Sequence, residues 1–221
     1  ACVSLRTIDI YIEGLANLYG VVSLATVKER LYTYLELDKH EDTDVQETVD
    51  KVFGHSLALK EMIYKLRREQ TDNLPLDQTV FFVSRYAFYR HSDLCEKLQA
   101  MEVQQRELYP FTDSEVMGAG ASFLPMIPNS QWERFAKYIT KKLKCDNTFV
   151  DEIICRMWFY ANHEGILPFK DLSQEHYFLM FVNTHRGELL SDQKEQESLR
   201  HLHRLMDYMP RWTLRGYSKK G

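Results

Sequence analysis

Apolar residues Ile8, Tyr11, Ile12, Leu15, Leu18 and Tyr19 recur at the i, i+3, i+4, i+7 spacing of a helix with one apolar stripe. Gly20 follows the last of them, where a left-handed residue ends a helix at little cost. Val21 and Val22 are β-branched and predict a short extended piece. Ser23 predicts the N-cap of a second helix, whose stripe is Leu24, Val27, Leu31, Tyr34 and Leu35. Helix, tight turn and helix open a helix-turn-helix or winged-helix unit, and equally a plain helical hairpin.

The pattern continues in the same manner. Asp42 or Thr43 opens a helix carrying Val45, Val49, Val52 and Phe53, interrupted at Gly54. Ser56 opens another, with Leu59, Met62, Ile63 and Leu66 as its stripe. Residues Thr79–Val83 and Tyr86–His91 are β-branched and aromatic, with Ser84-Arg85 between them, and predict a β-hairpin in the position of a wing. Asp93 to Glu107 reads as a linker helix. Thr112 and Glu115 predict a capping box, Gly118 and Gly120 a loosening, and Pro125 and Pro128 an extended loop. Ser130 with Glu133 predicts a second capping box, ahead of Trp132, Phe135, Ala136, Ile139 and Leu143 on one face. Asp146, Asp171 or Ser173, and Ser191 open three further helices, and Pro210 ends the last. The expected fold is mainly α. A winged-helix-like unit covers 1–92 with its hairpin at 79–91, a linker helix covers 93–110, and a C-terminal helical bundle covers 111–221.

Composition narrows the class. The chain has 221 residues, 44% hydrophobic and 13% aromatic, which is a folding composition and not a disordered one. No apolar run reaches the roughly 20 residues of a membrane span, and no leader peptide is visible. Cys2, Cys95, Cys145 and Cys155 lie far apart, the pattern of reduced thiols in a cytoplasmic protein. Net charge is −4. Residues 1–95 hold 11 Lys/Arg against 15 Asp/Glu, and residues 96–221 hold 17 of each. Neither half has the basic excess of a free-standing nucleic-acid binder.

Candidate chemistry is sparse. His203 and Asp207 are four apart and could share a metal, but two ligands do not make a site. His201 and His203 are two apart and do not share a helix face. Asp151-Glu152 falls on an exposed face, and His163, His176 and His185 have no evident partner. Gly118-Ala119-Gly120 lacks the Lys-Ser/Thr and the preceding strand of a nucleotide loop. No hydrolase or zinc-protease motif is present. The expectation is a protein that is not an enzyme and that needs no metal or cofactor. Two charged surfaces remain. Glu41, Asp42, Asp44, Glu47 and Asp50 form an acidic segment suited to a protein partner or to mimicry of nucleic acid. Lys137, Lys141, Lys142 and Lys144 form the densest cationic cluster, suited to an acidic partner or phosphates. Cations near a helix C-terminus are also what the helix dipole favours. For DNA, the candidates are Lys60, Lys65, Arg67, Arg68 and Arg85, the last at the hairpin tip.

Three stretches resemble one family in the same order. YIEGLANLYGVVSLATVKERL resembles a "Y-x-E-x-[LF]-x-N-L-Y-G-[IV]-[IV]" opening. SQWERFAKYITKKLKCDNTFVDEIICRMWFYANHEG resembles an "fxxLxxFLxkKLkl" helix and the helix after it, and LMDYMPRWTLRGYSKKG resembles an "NNTRxWxNxGxTP" close. These are motifs of the helical proteins of Gram-positive bacteria and their phages that carry a SEC-C metal-binding tail. Tyr208-Met209-Pro210 stand in place of Asn-Asn-Thr, while Arg211, Trp212 and Gly216 keep the pattern. The cysteine-rich tail is missing, so its zinc function is not carried over. The resemblance implies a winged-helix-like N-terminal unit, a helical C-terminal unit, a bacterial or phage cytoplasm and no catalytic centre. The expected function is non-enzymatic binding of a macromolecule through helical surfaces. A protein partner comes first, as in a phage or mobile-element inhibitor of a host factor such as a defence nuclease. A winged-helix DNA-binding regulator is the alternative.

Overall fold

The computed structural model describes residues 5–34, 63–65, 80–88, 92–104, 106–122, 128–163 and 173–220. The chain is mainly helical, with a small antiparallel sheet, and divides into two compact units, residues 1–125 and 126–221.

In the first unit, α1 (Leu5–Tyr19) buries Ile8, Tyr11, Ile12, Leu15, Leu18 and Tyr19 as the spacing predicts. Gly20 ends it with φ 79°, donating its N–H to the Ala16 carbonyl at 2.7 Å. β1 (Val21–Ser23) follows, and Ser23 Oγ accepts the N–H of Thr26 at 3.1 Å to start α2 (Leu24–Tyr34). β2 (Ile63–Lys65) and β3 (Val80–Val83) complete a sheet of order β1-β3-β2. Val22 lies opposite Phe82 on one side of β3, and Ile63 opposite Phe82 on the other.

Four expectations change here. Ile63, placed in a helical stripe, belongs to a strand, because its β-branched and aromatic surroundings pair with β3. The hairpin at 79–91 is not formed as expected: α3 (Arg85–Phe88) is helical. β3 already has a neighbour on each edge, so the chain leaving it has no edge to join. Ser84 instead turns the backbone, its carbonyl accepting from Ala87 at 2.9 Å. The helix at 92–103, expected as a linker, is α4 (Ser92–Val103). It packs on β1 with Leu94, Leu98 and Met101 buried, and residues 106–112 are not helical. The boundary expected at 110/111 falls at 125/126, because α5 (Asp113–Ala121) packs along α1.

The capping box of Thr112 and Glu115 starts α5 as expected, but Gly118 and Gly120 do not loosen the chain. They are helical, and a Cβ on Gly120 would sit on the Ile10 carbonyl, as one on Gly14 would sit on that of Val116. Small residues at the crossing let the two backbones touch. Asn17 Nδ2 donates to the Ala119 carbonyl at 3.1 Å, and Tyr34 Oη to that of Phe111 at 2.9 Å.

The second unit holds α6 (Ser130–Lys141), α7 (Asn147–Asn162), α8 (Gln174–Arg186) and α9 (Asp192–Asp207). Its core is Phe135, Ile139, Ile153, Ile154, Met157, Phe178, Val182, Leu202 and Leu205. The cap of α6 is Asn129, one residue before the expected Ser130, with Oδ1 accepting from Gln131 and Trp132. Asp146 and Ser173 cap α7 and α8, and Gly187 closes α8 in the left-handed conformation.

The close of the chain is structural. Arg211 is 4% exposed, and its two Nη groups donate to the carbonyls of Ala161 and Met206 near the ends of α7 and α9. Trp212 meets Trp158 edge to face at 5.3 Å, and its backbone N–H donates to Asn162 Oδ1 at 2.8 Å. Among the described residues, no helix is long and apolar enough to cross a membrane.

Candidate functional site

The polar face of α6 carries Arg134, Lys137 and Lys141, spaced i, i+3 and i+7, with Lys142 at its C-cap. α9 turns Glu197, His201 and Arg204 toward them, with Arg200 beside. The two helices pack together and leave a groove of about 320 Å³, lined by these residues with Gln131 and Tyr138. Tyr138 is the anchor of the arrangement. Its hydroxyl lies 2.9 Å from that of Ser198, and its ring stacks on His201 with centroids 4.1 Å apart. Burial pushes the Tyr138 hydroxyl pKa up.

The electrostatics are one-sided. Among the described residues, none of Arg134, Lys137, Lys141, Lys142, Arg200 and Arg204 makes an ion pair. The imidazole of His201 is held below its ordinary pKa, first by burial and then by Arg204 and Arg200, with Glu197 opposing. His201 makes no hydrogen bond among the described residues, so no nucleophile and base are paired in the groove. The arrangement can hold negative charge.

Lys137, Lys141 and Lys142 thus come together, joined by Arg134 and Arg204, which the sequence reading passed over, and by His201, which it weighed only beside His203. Arg134 was visible as the preceding turn of the same cationic row. The α9 side was not, because it lies about sixty positions away. Lys144 stands apart: it is exposed and left-handed, with φ 61°, in the turn after α6. Arg85 is not at a hairpin tip; it begins α3, and its guanidinium pairs with Glu13. Lys65 lies on β2. Lys60, Arg67, Arg68, Glu41, Asp42, Asp44, Glu47 and Asp50 lie outside the described residues, as do the expected helix over 45–53 and most of that over 56–66.

Among the described residues, His203, His163 and His185 each have a partner. His203 meets Glu175 of α8 at 3.0 Å, and Asp207 pairs with Lys220 at 2.6 Å, so these two are not poised to share a metal. His163 is buried, stacked on Phe159 and edge-on to Trp212. His185 stacks on Phe149. The described residues contain no group of three His, Cys, Asp or Glu able to hold a metal ion. Burial raises the thiol pKa of Cys145 and of Cys155, which favours the neutral thiol at both.

A second pocket, of about 380 Å³, lies in the first unit between α2 and the end of α4. At its edge the Glu102 carboxylate is 7% exposed. Its Oε1 accepts from the Ser23 N–H and hydroxyl, each at 2.8 Å, and from the Thr26 hydroxyl at 2.5 Å. That carboxylate ties α4 to the positive N-terminal end of α2, a structural task.

No protein-family model matches this chain, and neither a curated protein nor a solved structure matches it.

Proposed function

We propose that this is a non-enzymatic binding protein that engages a macromolecule through its helical surfaces. The observation that supports it is the α6–α9 groove, lined by Arg134, Lys137, Lys141, Lys142 and Arg204, none of which makes an ion pair among the described residues. Counter-charge then comes from a partner, and the partner is acidic. A protein with an acidic face fits this reading, and so does the inhibitor of a host factor expected from the sequence. The resemblance to the SEC-C-type proteins of Gram-positive bacteria and their phages supports the same outline, a winged-helix-like first unit followed by a helical bundle.

A winged-helix DNA-binding regulator is the second reading. The strand order β1-β3-β2 favours it, with β1 between two helices and β2–β3 as the hairpin. Its expected contacts rest on Lys60, Lys65, Arg67, Arg68 and Arg85, of which Arg85 is already paired.

Titration of the full chain with labelled polyglutamate and with duplex DNA tests both. Binding of either, tighter than about 10⁻⁴ M at physiological salt, supports a binding role. Loss of that binding in Lys137→Glu/Lys141→Glu assigns it to the groove. Retention in that variant moves the site to the first unit. No binding to any polyanion contradicts the proposal.

A further inference from the structure

Resting on the binding reading above, we infer that the α6–α9 groove holds the phosphate backbone of a single-stranded nucleic acid. Charge density is the first argument. Arg134, Lys137, Lys141, Lys142 and Arg204 line a groove of about 320 Å³ with Glu197 as the opposing charge. A phosphate strand carries one negative charge per nucleotide on a continuous thread, whereas acidic side chains on a protein are interspersed with basic ones. Residues 126–221 hold 15 Lys/Arg against 12 Asp/Glu, while residues 1–125 hold 13 against 20, so the second unit is the one that attracts polyanions.

Between the acidic partners that fit, the surroundings favour a nucleic-acid strand over a protein. Cores of protein interfaces are enriched in aromatic residues, Met and Arg but depleted in Lys, and three of the five groove cations are lysines. The exposed large apolar residues described, Met180, Leu189, Tyr208 and Leu214, all lie off the groove. Tyr138 is buried and committed to Ser198 and His201. What the groove offers is a row of cations over a largely apolar floor that includes the stacked Tyr138 and His201 rings.

Dimensions argue against a duplex. The groove runs along two helices packed with axes about 8–10 Å apart, a scale closer to one backbone thread than to a double helix. From Arg134 to Lys141 the α6 row advances about 10 Å along the helix, room for a short run of nucleotides. Basic grooves that track a strand in this way bind with little sequence preference.

The test is fluorescence polarisation on the full chain with a labelled oligothymidylate a dozen nucleotides long, across a salt series. Contact with three to five phosphates predicts a slope of log affinity on log salt of about −2 to −3.5. Lys137→Glu/Lys141→Glu is expected to weaken binding at least about tenfold, Lys137→Arg/Lys141→Arg to keep it, and Lys219→Glu, an exposed cation off the groove, to leave it unchanged. Circular dichroism checks the fold of each variant, and Lys137→Gln/Lys141→Gln replaces the charge reversal if that variant does not fold. Three results overturn the inference while leaving the binding reading intact: polyglutamate bound more tightly than the strand, duplex bound more tightly than the strand, or tripolyphosphate displacing the strand at equal phosphate concentration. Strand binding that survives the charge reversal overturns it as well. If no polyanion binds, both readings fall.

Discussion

Tyr138 and His201 stack ring on ring, 4.1 Å between centroids and 18° between planes, and so join α6 to α9 at the base of the cationic groove. Burial and the neighbouring Arg204 and Arg200 lower the pKa of His201 in the free protein, against the pull of Glu197. A polyanion among Arg134, Lys137, Lys141 and Lys142 adds negative charge and raises it again. Bound protein therefore takes up a proton that free protein does not hold. Affinity for the strand should rise as pH falls from above about 6.5, the ordinary histidine value, and level off below the lowered value of the free protein. Titrations at stepped pH check this, and His201→Gln should flatten the profile. The same shift acts on stability with the opposite benefit. Folded His201 resists protonation more than the unfolded chain does, so stability of the free protein falls as pH drops through the window between the two values.

Gly14, Gly118 and Gly120 should part company on replacement by Ala. All three lie in helices, where Ala is favoured over Gly by about 1 kcal/mol. Gly118 has open space at its Cβ position, so Gly118→Ala should stabilise by up to that amount. At Gly14 and Gly120 the new methyl meets a backbone carbonyl across the α1–α5 crossing, and destabilisation by about 2 kcal/mol or more is expected. Urea unfolding followed by circular dichroism separates the three. Equal effects at all three would show that the crossing is looser than described.

Glu102→Ala removes the acceptor of three donors, Ser23 N–H, Ser23 Oγ and Thr26 Oγ1, in a buried setting. A loss of about 3 kcal/mol is expected, against about 1 kcal/mol for Thr26→Val, which removes a single donor. The same unfolding measurement applies. A neutral Glu102→Ala would mean that water replaces the carboxylate without penalty.

These contrasts follow what was legible in the residues. Most helix ends with a local cap were readable: Gly20, Thr112 with Glu115, Asp146 and Ser173 each act within a turn of their own position, while at α6 the cap is Asn129 and not its neighbour Ser130. β2 was not, because Ile63, Tyr64 and Lys65 become a strand only through Val80–Phe82, some fifteen residues on. Gly120 looked like a break because its use lies in a backbone about a hundred residues earlier. The cationic site was half legible for the same reason. Lys137, Lys141 and Lys142 form a row on one helix, but what makes a groove of them is Arg204 and His201 on another.

Arg211 should be among the most sensitive positions of the second unit. Arg211→Ala leaves the carbonyls of Ala161 and Met206 without their guanidinium and opens a cavity beside Trp212, a loss of about 3 kcal/mol or more. Arg211→Lys, which cannot reach both carbonyls in one plane, should recover part of it. All three tryptophans, Trp132, Trp158 and Trp212, lie in this unit, so tryptophan fluorescence in urea reports the change. An unshifted midpoint in Arg211→Ala would remove this structural role for the chain's close.

The central claim is that the α6–α9 groove is where a polyanion sits, and lysine footprinting reads it most directly. The full chain is acetylated briefly with and without a single-stranded oligonucleotide, and each lysine is quantified by mass spectrometry. Protection of Lys137, Lys141 and Lys142, with Lys97 and Lys219 modified equally in both samples, is the predicted result. Protection confined to other lysines, or to none, contradicts it.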